Sequence, residues 1–387
     1  MPRVPAPSYR AGEPENRISG EEVIMSTTTL DLAIVGAGAA GLHTARRAMD
    51  RGATIGVFDA HARIGDSWRE RYRSLRLFTP RRWAELPGLR LEIGMFEYPT
   101  AAQLADYLER YAMTFEIPVR TATRVQRLSV EPDGRFRIEL DAGEEAVADK
   151  VVVAAGVHHR PVVPAFATGL DPSIRQLHSL EYQGPEDFAT GAVLIVGAAN
   201  SGTDIALEAA ANGHGTVLAG RHPGQVPGRI DTPVGNLISG IFIRRLRNIT
   251  LDTEKGRRVW EQQRGHGVNL VRNHLSDLRR AGIRRVGRVA GIDDGLPVLE
   301  GGERLHPATI VWCTGSRPIL NWIDIPGFAD ENGIRHERGL STTVPGLAFM
   351  GLPFQYSIAS PTLMGMGRDA DYVVEHLLQP APALRAV

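Results

Sequence analysis

The chain has one cysteine, Cys313, two lysines, Lys150 and Lys255, and no net formal charge. A single cysteine excludes an internal disulfide, a paired-cysteine redox centre and a multi-cysteine metal site. Balanced charge, with 44 basic against 44 acidic residues, gives no long-range field for nucleic acid and no basic tail for an anionic membrane. The scarcity of lysine leaves 42 of the 44 basic residues as arginine, which reads as a coding bias and not as a phosphate-binding surface. Apolar runs are strand-sized, far below a membrane span. His158 and His159 are adjacent and face opposite ways on a strand, and no HxH or HExxH spacing places a metal. What is present is 387 residues, 43% of them apolar, with 42 glycines: enough for two domains, or for one domain interrupted by another. A soluble cytoplasmic protein is expected.

Residues 1–25 are rich in Pro, Gly and Glu and lack both apolar periodicity and a signal-peptide core, so they are expected to be a disordered extension. Beyond them, one pattern occurs twice. Leu32–Val35 is an apolar run ending in Gly36-Ala-Gly38-Ala39-Ala-Gly41, followed by a helix-compatible stretch and a second run, Ala53–Phe58, closed by Asp59 and Ala60. This is the strand–turn–helix–strand order of a dinucleotide fold: the glycines allow a tight turn, close approach of a pyrophosphate and close helix packing. An acid at the end of the second strand accepts ribose hydroxyls and repels a 2′-phosphate. Val193–Val196 then leads into Gly197-Ala-Ala199-Asn200-Ser201-Gly202, a helix, and Thr216–Ala219 followed by Gly220-Arg221-His222. Here a guanidinium stands where it can pair with a 2′-phosphate; the alternative is a solvated turn arginine. One turn ends in acid and the other in base, so the reading is two different dinucleotides, with NADPH on the second and electron transfer to a flavin.

Val151–Ala154 ends at Ala155-Gly156, Ile310–Cys313 at Thr314-Gly315, and Leu347–Met350 at Gly351. Each places a glycine where a strand's C-terminal end meets a cofactor. The expected fold is α/β: two nested doubly wound dinucleotide-binding, Rossmann-like domains. Residues 26–160 form the first part of one domain, 161–306 the inserted NADPH-binding domain with a variable helical segment at 229–273, and 307–387 the second part of the first. In the variable segment Leu237, Ile238, Ile241, Phe242 and Leu246 make an apolar stripe beside Arg244, Arg245 and Arg247. A lid or ordinary packing is preferred there to membrane contact.

The chain resembles the class B flavin-dependent monooxygenases, and most closely the plant indole-pyruvate monooxygenases and their bacterial relatives. The resemblance rests on the paired turns, the two glycine crossings, Gly65-Asp66-Ser67-Trp68, Ser74–Pro80, Leu86-Pro87-Gly88 and Tyr98-Pro99-Thr100. It implies FAD on the first turn, NADPH on the second, and insertion of one atom of molecular oxygen into a small organic substrate through a flavin C4a-(hydro)peroxide. The group's F-x-G-x-x-x-H-S-x-x-Y hallmark falls at Pro172–Tyr182, where His178, Ser179 and Tyr182 match but Pro172 and Ile174 depart. Phe78 stands where classical members carry asparagine. Electrophilic and nucleophilic oxygenation both stay open, as does a homo-oligomer. The alternatives are an NADPH-dependent flavoprotein reductase or oxidase without oxygen insertion, and a non-catalytic redox sensor.

The candidate catalytic residues are Asn200 and Ser201, at the turn facing the flavin edge, and Gln355, which with Tyr356 could line a substrate cavity. Ser201 is also suited to capping its helix. The cofactor-binding set is Gly36, Gly38, Ala39, Gly41, Asp59, Ala60, Trp68, Leu77, Thr79, Val125, Ala155, Gly156, Gly197, Ala199, Asn200, Ser201, Gly202, Arg221, His222, Thr314, Gly315, Gly351 and Thr362. Ser360-Pro361-Thr362 reads as a capping hydroxyl, a proline at the first helical position and the start of a helix over Leu363–Leu378, whose N-terminus could stabilise a reduced flavin. Thr100-Ala-Ala-Gln103 reads as a capping box, with Leu104, Leu108 and Tyr111 on one helical face.

Overall fold

The computed structural model describes residues 29–379, apart from 230–231, 233–234, 236–239, 242, 246 and 264–268. The expected extension at residues 1–25, and Leu237, Ile238, Phe242 and Leu246 of the apolar stripe, lie outside the described residues.

The first sheet is built around β1 (Thr29–Val35), whose last four residues are all buried, as a strand covered on both faces requires. It pairs in parallel with β2 (Ile55–Phe58) on one side and β6 (Glu145–Val153) on the other. Side chains alternate between two cores. Leu32 and Ile34 face α1 (Ala39–Met49), α2 (Ala101–Thr114) and α4 (Leu363–Leu377), while Ala33 and Val35 face an antiparallel layer. That layer consists of β4 (Val125–Val130), β5 (Phe136–Leu140) and the first half of β6. The short β3 (Val119–Arg120) extends the sheet beyond β2, and β12 (Leu347–Phe349) pairs in parallel with the second half of β6. Thr100 caps α2 through the expected capping box, and Leu104, Leu108 and Tyr111 are fully buried.

The second sheet has the order β10 (Arg284–Val286), β9 (Thr216–Ala219), β8 (Val193–Val196), β11 (Thr309–Trp312), β7 (Arg175–His178), parallel throughout. It repeats the plan of the first. One face packs on α3 (Asn200–Ala211) and the short helix Leu275–Arg280, and the other on the hairpin of Val289–Asp293 with Leu296–Leu299. The structure moves one expected boundary. Thr309–Trp312 lies inside the second sheet between β8 and β7, so the chain returns to the first unit after Gly315 and not near Pro307. The two passages between units lie side by side, Arg160–Pro161 pairing antiparallel with Ser316–Arg317. Among the described residues no helix is long and apolar enough to cross a membrane.

Candidate active site at the ends of two parallel sheets

In each unit the glycine turn follows the C-terminal end of a central parallel strand, the place where open α/β sheets bind ligands. In the first unit Gly36 turns the chain with φ 102° and donates its N–H to Phe58 O at 2.8 Å. A Cβ on Gly41 would overlap the carbonyl oxygen of Gly36, so α1 lies flush against the turn. Gly38, the N-cap of α1, is different: a Cβ there would meet no protein atom within 4 Å. The space beside it is open, and among the described residues no side chain caps the helix, which leaves its first N–H groups available to a ligand. Ala39, the first helical residue, is buried, and Ala40 lies 3.6 Å from where a Cβ on Gly351 would stand, which brings the end of β12 to the same turn.

Asp59 is where the sequence places the ribose acceptor. Its Oδ2 accepts the Ala37 N–H at 2.6 Å, and its Oδ1 accepts the His61 N–H at 2.8 Å and sits 2.9 Å from His61 Nδ1. The carboxylate therefore also holds the glycine turn to the end of β2, with half-buried Ala60 between it and His61. His61 was not foreseen; its position two residues beyond a strand-terminal acid is the only signal the sequence offers.

The second turn repeats the geometry. Gly197 has φ 114°, and a Cβ on Gly202 would overlap the Gly197 carbonyl oxygen. Cys313 takes the place that Ala154 holds in the first unit: the Cys313 Cβ is 3.5 Å from a Cβ on Gly202, and the Ala154 Cβ is 3.5 Å from one on Gly41. Burial holds the Cys313 thiol up at about 12, so it packs as a neutral small side chain. The N-cap of α3 is Ala199, with no capping side chain. Ser201 therefore does not cap the helix; it and Asn200 occupy the first turn, half-buried, with Asn200 Nδ2 3.4 Å from Asn269 O. Arg221 and His222 follow β9 and are exposed. His222 Nδ1 accepts the Gly224 N–H at 2.7 Å, which leaves Nε2 as the protonated nitrogen.

Between the turns lie the two passages. Ala155 O accepts from His159 Nε2 at 2.8 Å, and Thr314 Oγ1 donates to Val162 O. Gly156 and Gly315, at φ 85° and 87°, are exposed. His178 is buried; its Nδ1 accepts the Leu180 N–H at 3.1 Å, so its Nε2 donates to Gly315 O at 3.0 Å and anchors that passage. His158 and His159 are not in a strand, and they turn apart toward Ser316 Oγ and Ala155 O.

Other expected residues pack into the cores or bond differently. Leu77 and Val125 pack into the two cores of the first unit, Thr79 is buried, and Trp68 packs half-buried against the core under α1. Gln355 is fully buried, with its amide against Arg338 O and Met350 Sδ at 3.3 Å, so it presents no atom to a cavity. The guanidinium groups of Arg338 and Arg368 both lie against the Tyr356 ring, 3.7 and 4.5 Å from its centroid. Thr362, not Ser360, is the N-cap of α4, and Pro361 lies before the helix. Ser360 Oγ instead accepts the Tyr356 and Ser357 N–H groups, at 3.1 and 3.0 Å, and holds the preceding loop.

A polar cluster not foreseen from sequence joins the units. Tyr72 OH donates to Asp204 Oδ2 at 3.2 Å, and Arg272 and Asn273 bind Asp204 Oδ1. Glu208, one turn along α3, accepts from Ser74 Oγ at 2.7 Å and from Tyr182 OH at 2.9 Å. Burial pushes the Asp204 carboxyl above its ordinary range, against the pull of Arg272.

Two glycine turns of like build, one beside a strand-terminal acid and one beside a strand-terminal arginine, fit two dinucleotides. The open space at Gly38 and the uncapped start of α1 fit a pyrophosphate. The comparisons with known proteins agree. Residues 33–261, more than half of the chain, match the model of the pyridine nucleotide-disulphide oxidoreductase family. An uncharacterised CzcO-like oxidoreductase of Geobacillus kaustophilus is 34% identical over 90% of this chain and 98% of its own length. An indole-3-pyruvate monooxygenase of Oryza sativa is 34% identical over 46% of this chain and 45% of its own. The solved flavin-containing monooxygenase of Stenotrophomonas maltophilia superposes with a TM-score of 0.73 at 26% identity, covering 90% of this chain and 98% of that one. The chain belongs to the pyridine nucleotide-disulphide oxidoreductase family and is similar to flavin-dependent monooxygenases.

Proposed function

We propose that the protein is an NADPH-dependent FAD monooxygenase that places one oxygen atom on a small organic substrate. The observation that carries this is the doubled turn: Gly36–Gly41 with Asp59 in one unit, Gly197–Gly202 with Arg221 in the other. In this reading residues 29–160 and 315–379 hold FAD and residues 161–314 hold NADPH. The N–H groups at the start of α1 and α3 take the two pyrophosphates. Asp59 accepts the flavin nucleotide's ribose hydroxyls while keeping its bond to Ala37, and Arg221 takes the 2′-phosphate. FAD, when bound, would supply the redox and oxygen chemistry. Asn200 and Ser201 orient the nicotinamide by hydrogen bonds from the first turn of α3, and the passages at Gly156 and Gly315 set the spacing of the two rings. The likeness to monooxygenases supports oxygen insertion over plain reductase or oxidase activity, and the single cysteine argues against dithiol reduction. A cytoplasmic location, where NADPH is supplied, belongs to the same reading.

The test is oxygen bookkeeping. Purified holoprotein is given NADPH under ¹⁸O₂ with a panel of amines, sulfides and 2-oxo acids. Incorporation of one ¹⁸O per NADPH into a product supports the proposal; stoichiometric hydrogen peroxide with every substrate would replace it with an oxidase. Arg221→Ala should raise the NADPH KM about 10-fold or more and leave NADH use nearly unchanged.

A further inference from the structure

Tyr72 belongs to the first unit by its place in the chain and to the second by its packing. It follows the helical turn Asp66–Arg69, yet its buried ring is part of the core of the second unit, 6.0 Å from the ring of Tyr182. Its neighbours are stitched to the same unit: Arg73 N–H donates to Gln183 O at 3.1 Å, and Gln183 Nε2 donates to Glu70 O at 3.0 Å. From this anchored stretch the Tyr72 hydroxyl reaches Asp204 Oδ2 at 3.2 Å.

Asp204 stands one turn into α3, whose start has no capping side chain. An uncapped first turn is prone to fray. Here it is tied one turn further in. Thr203 Oγ1 donates to Asn200 O at 2.9 Å and accepts from Asn273 Nδ2 at 3.1 Å. The same Asn273 amide, with Arg272, binds Asp204 Oδ1. Residues 200–204 thus hang between the Arg272–Asn273 stretch of their own unit and Tyr72 of the other. A buried charge among polar partners adds little net stability over an apolar replacement. A network with both carboxylate oxygens engaged does, however, admit one geometry and few others. A second bond crosses the units further along α3, from Ser74 Oγ to Glu208 Oε2 at 2.7 Å, and Ser74 is exposed.

We propose that Tyr72 is a positioning residue: acting through Asp204, it sets where the first turn of α3, with Asn200 and Ser201, stands relative to the first unit. The nicotinamide held by that turn is thereby placed for reduction of the flavin, and a small displacement there slows the reaction more than it weakens binding. The inference rests on the FAD and NADPH reading of the two units.

The test uses FAD-loaded parent, Tyr72→Phe, Asp204→Asn and their double variant, with Ser74→Ala as control, all well below their melting temperatures. Amide hydrogen exchange without nicotinamide nucleotide reads the first turn of α3 directly. Calorimetry gives the NADP⁺ dissociation constant, and anaerobic stopped flow at saturating NADPH gives the rate of flavin reduction. Tyr72→Phe keeps the ring in the core and loses only the hydroxyl. It is expected to exchange the amides of residues 203–206 about 10-fold faster, to bind NADP⁺ within about threefold of the parent, and to be reduced about 10- to 100-fold more slowly. Asp204→Asn should shift all three in the same direction, and the double variant should be no slower than the slower single, because the two residues act as one unit. Ser74→Ala breaks a bond between the units away from that turn and should stay within about twofold of the parent throughout. Unchanged exchange at residues 203–206, a Tyr72→Phe reduction rate within about threefold of the parent, or an equal slowing in Ser74→Ala overturns the proposal and leaves the functional reading standing. A parent whose flavin NADPH does not reduce overturns both.

Discussion

The first and second units solve one packing problem twice and differ where a ligand would touch them. In each, the third glycine of the turn is dictated by the protein: a Cβ on Gly41 or Gly202 would strike the carbonyl of Gly36 or Gly197. The middle position is not so dictated. The first unit keeps Gly38 there although the protein leaves the space empty, whereas the second has Ala199 as the N-cap of α3. On the proposed reading, a glycine that internal packing does not require would mark the tighter dinucleotide contact. The strand ends differ in the same sense. Asp59 is tied into its turn by three hydrogen bonds, while Arg221 stands exposed. The proposed function then has the first unit retain its nucleotide and the second exchange one.

That contrast can be broken in stages. The largest effect is expected from Gly41→Ala and Gly202→Ala, which force a helix off its sheet; overpacking of this kind costs about 1–3 kcal/mol or more. Gly41→Ala should lower Tm and lose FAD, whereas Gly202→Ala should keep the yellow flavin and lose NADP⁺ binding. Equal loss of both nucleotides in both variants, followed by absorbance and calorimetry, would show that the units do not act separately.

Acid should strike the first unit through His43. Its imidazole is buried on α1, 3.0 Å from Tyr111 OH, and burial lowers its pKa from 6.5 to about 4 against the opposing pull of Asp371. The unfolded chain takes up that proton first. Its contribution to stability is thus complete above pH 6.5 and is lost as pH falls toward 4, by about 3 kcal/mol across the window. Thermal melts of His43→Asn between these limits should show a shallower pH dependence than the parent; an unchanged slope would remove His43 from the account.

The smallest and sharpest comparison is the exchange of middle residues. Gly38→Ala should leave Tm within a degree or two and weaken FAD retention about 10-fold, since the methyl enters ligand space and not protein. Ala199→Gly should change NADP⁺ affinity less than threefold. A large fall in Tm for Gly38→Ala would show that the protein itself needs that glycine.

Much of this was legible because it is local. Strand, glycine turn, helix and second strand follow one another within a few dozen residues, so periodicity and spacing describe β1–α1–β2 and β8–α3–β9 directly. The Thr100–Gln103 capping box is equally local and forms as read. What failed depends on residues distant in sequence. Thr309–Trp312 is an apolar run compatible with either sheet, and only its pairing with Val193–Val196 and Arg175–His178 assigns it to the second. Ser360 has the look of a cap, but its hydroxyl is claimed by the Tyr356 and Ser357 N–H groups. Gln355 reads as a free polar side chain near a site, yet Arg338 and Met350 enclose it. The covering of each sheet's second face by antiparallel strands was likewise invisible in the pattern of the parallel core.

The amino-acid order alone determined the two dinucleotide turns, their opposed strand-terminal charges and the doubled α/β plan, because a glycine's freedom and a helix's amphipathicity are set by near neighbours. Tertiary structure decided the meeting of Tyr72 with Asp204 and Arg272. A buried charge is defined by every segment packed around it, and those segments are joined only when the chain has folded.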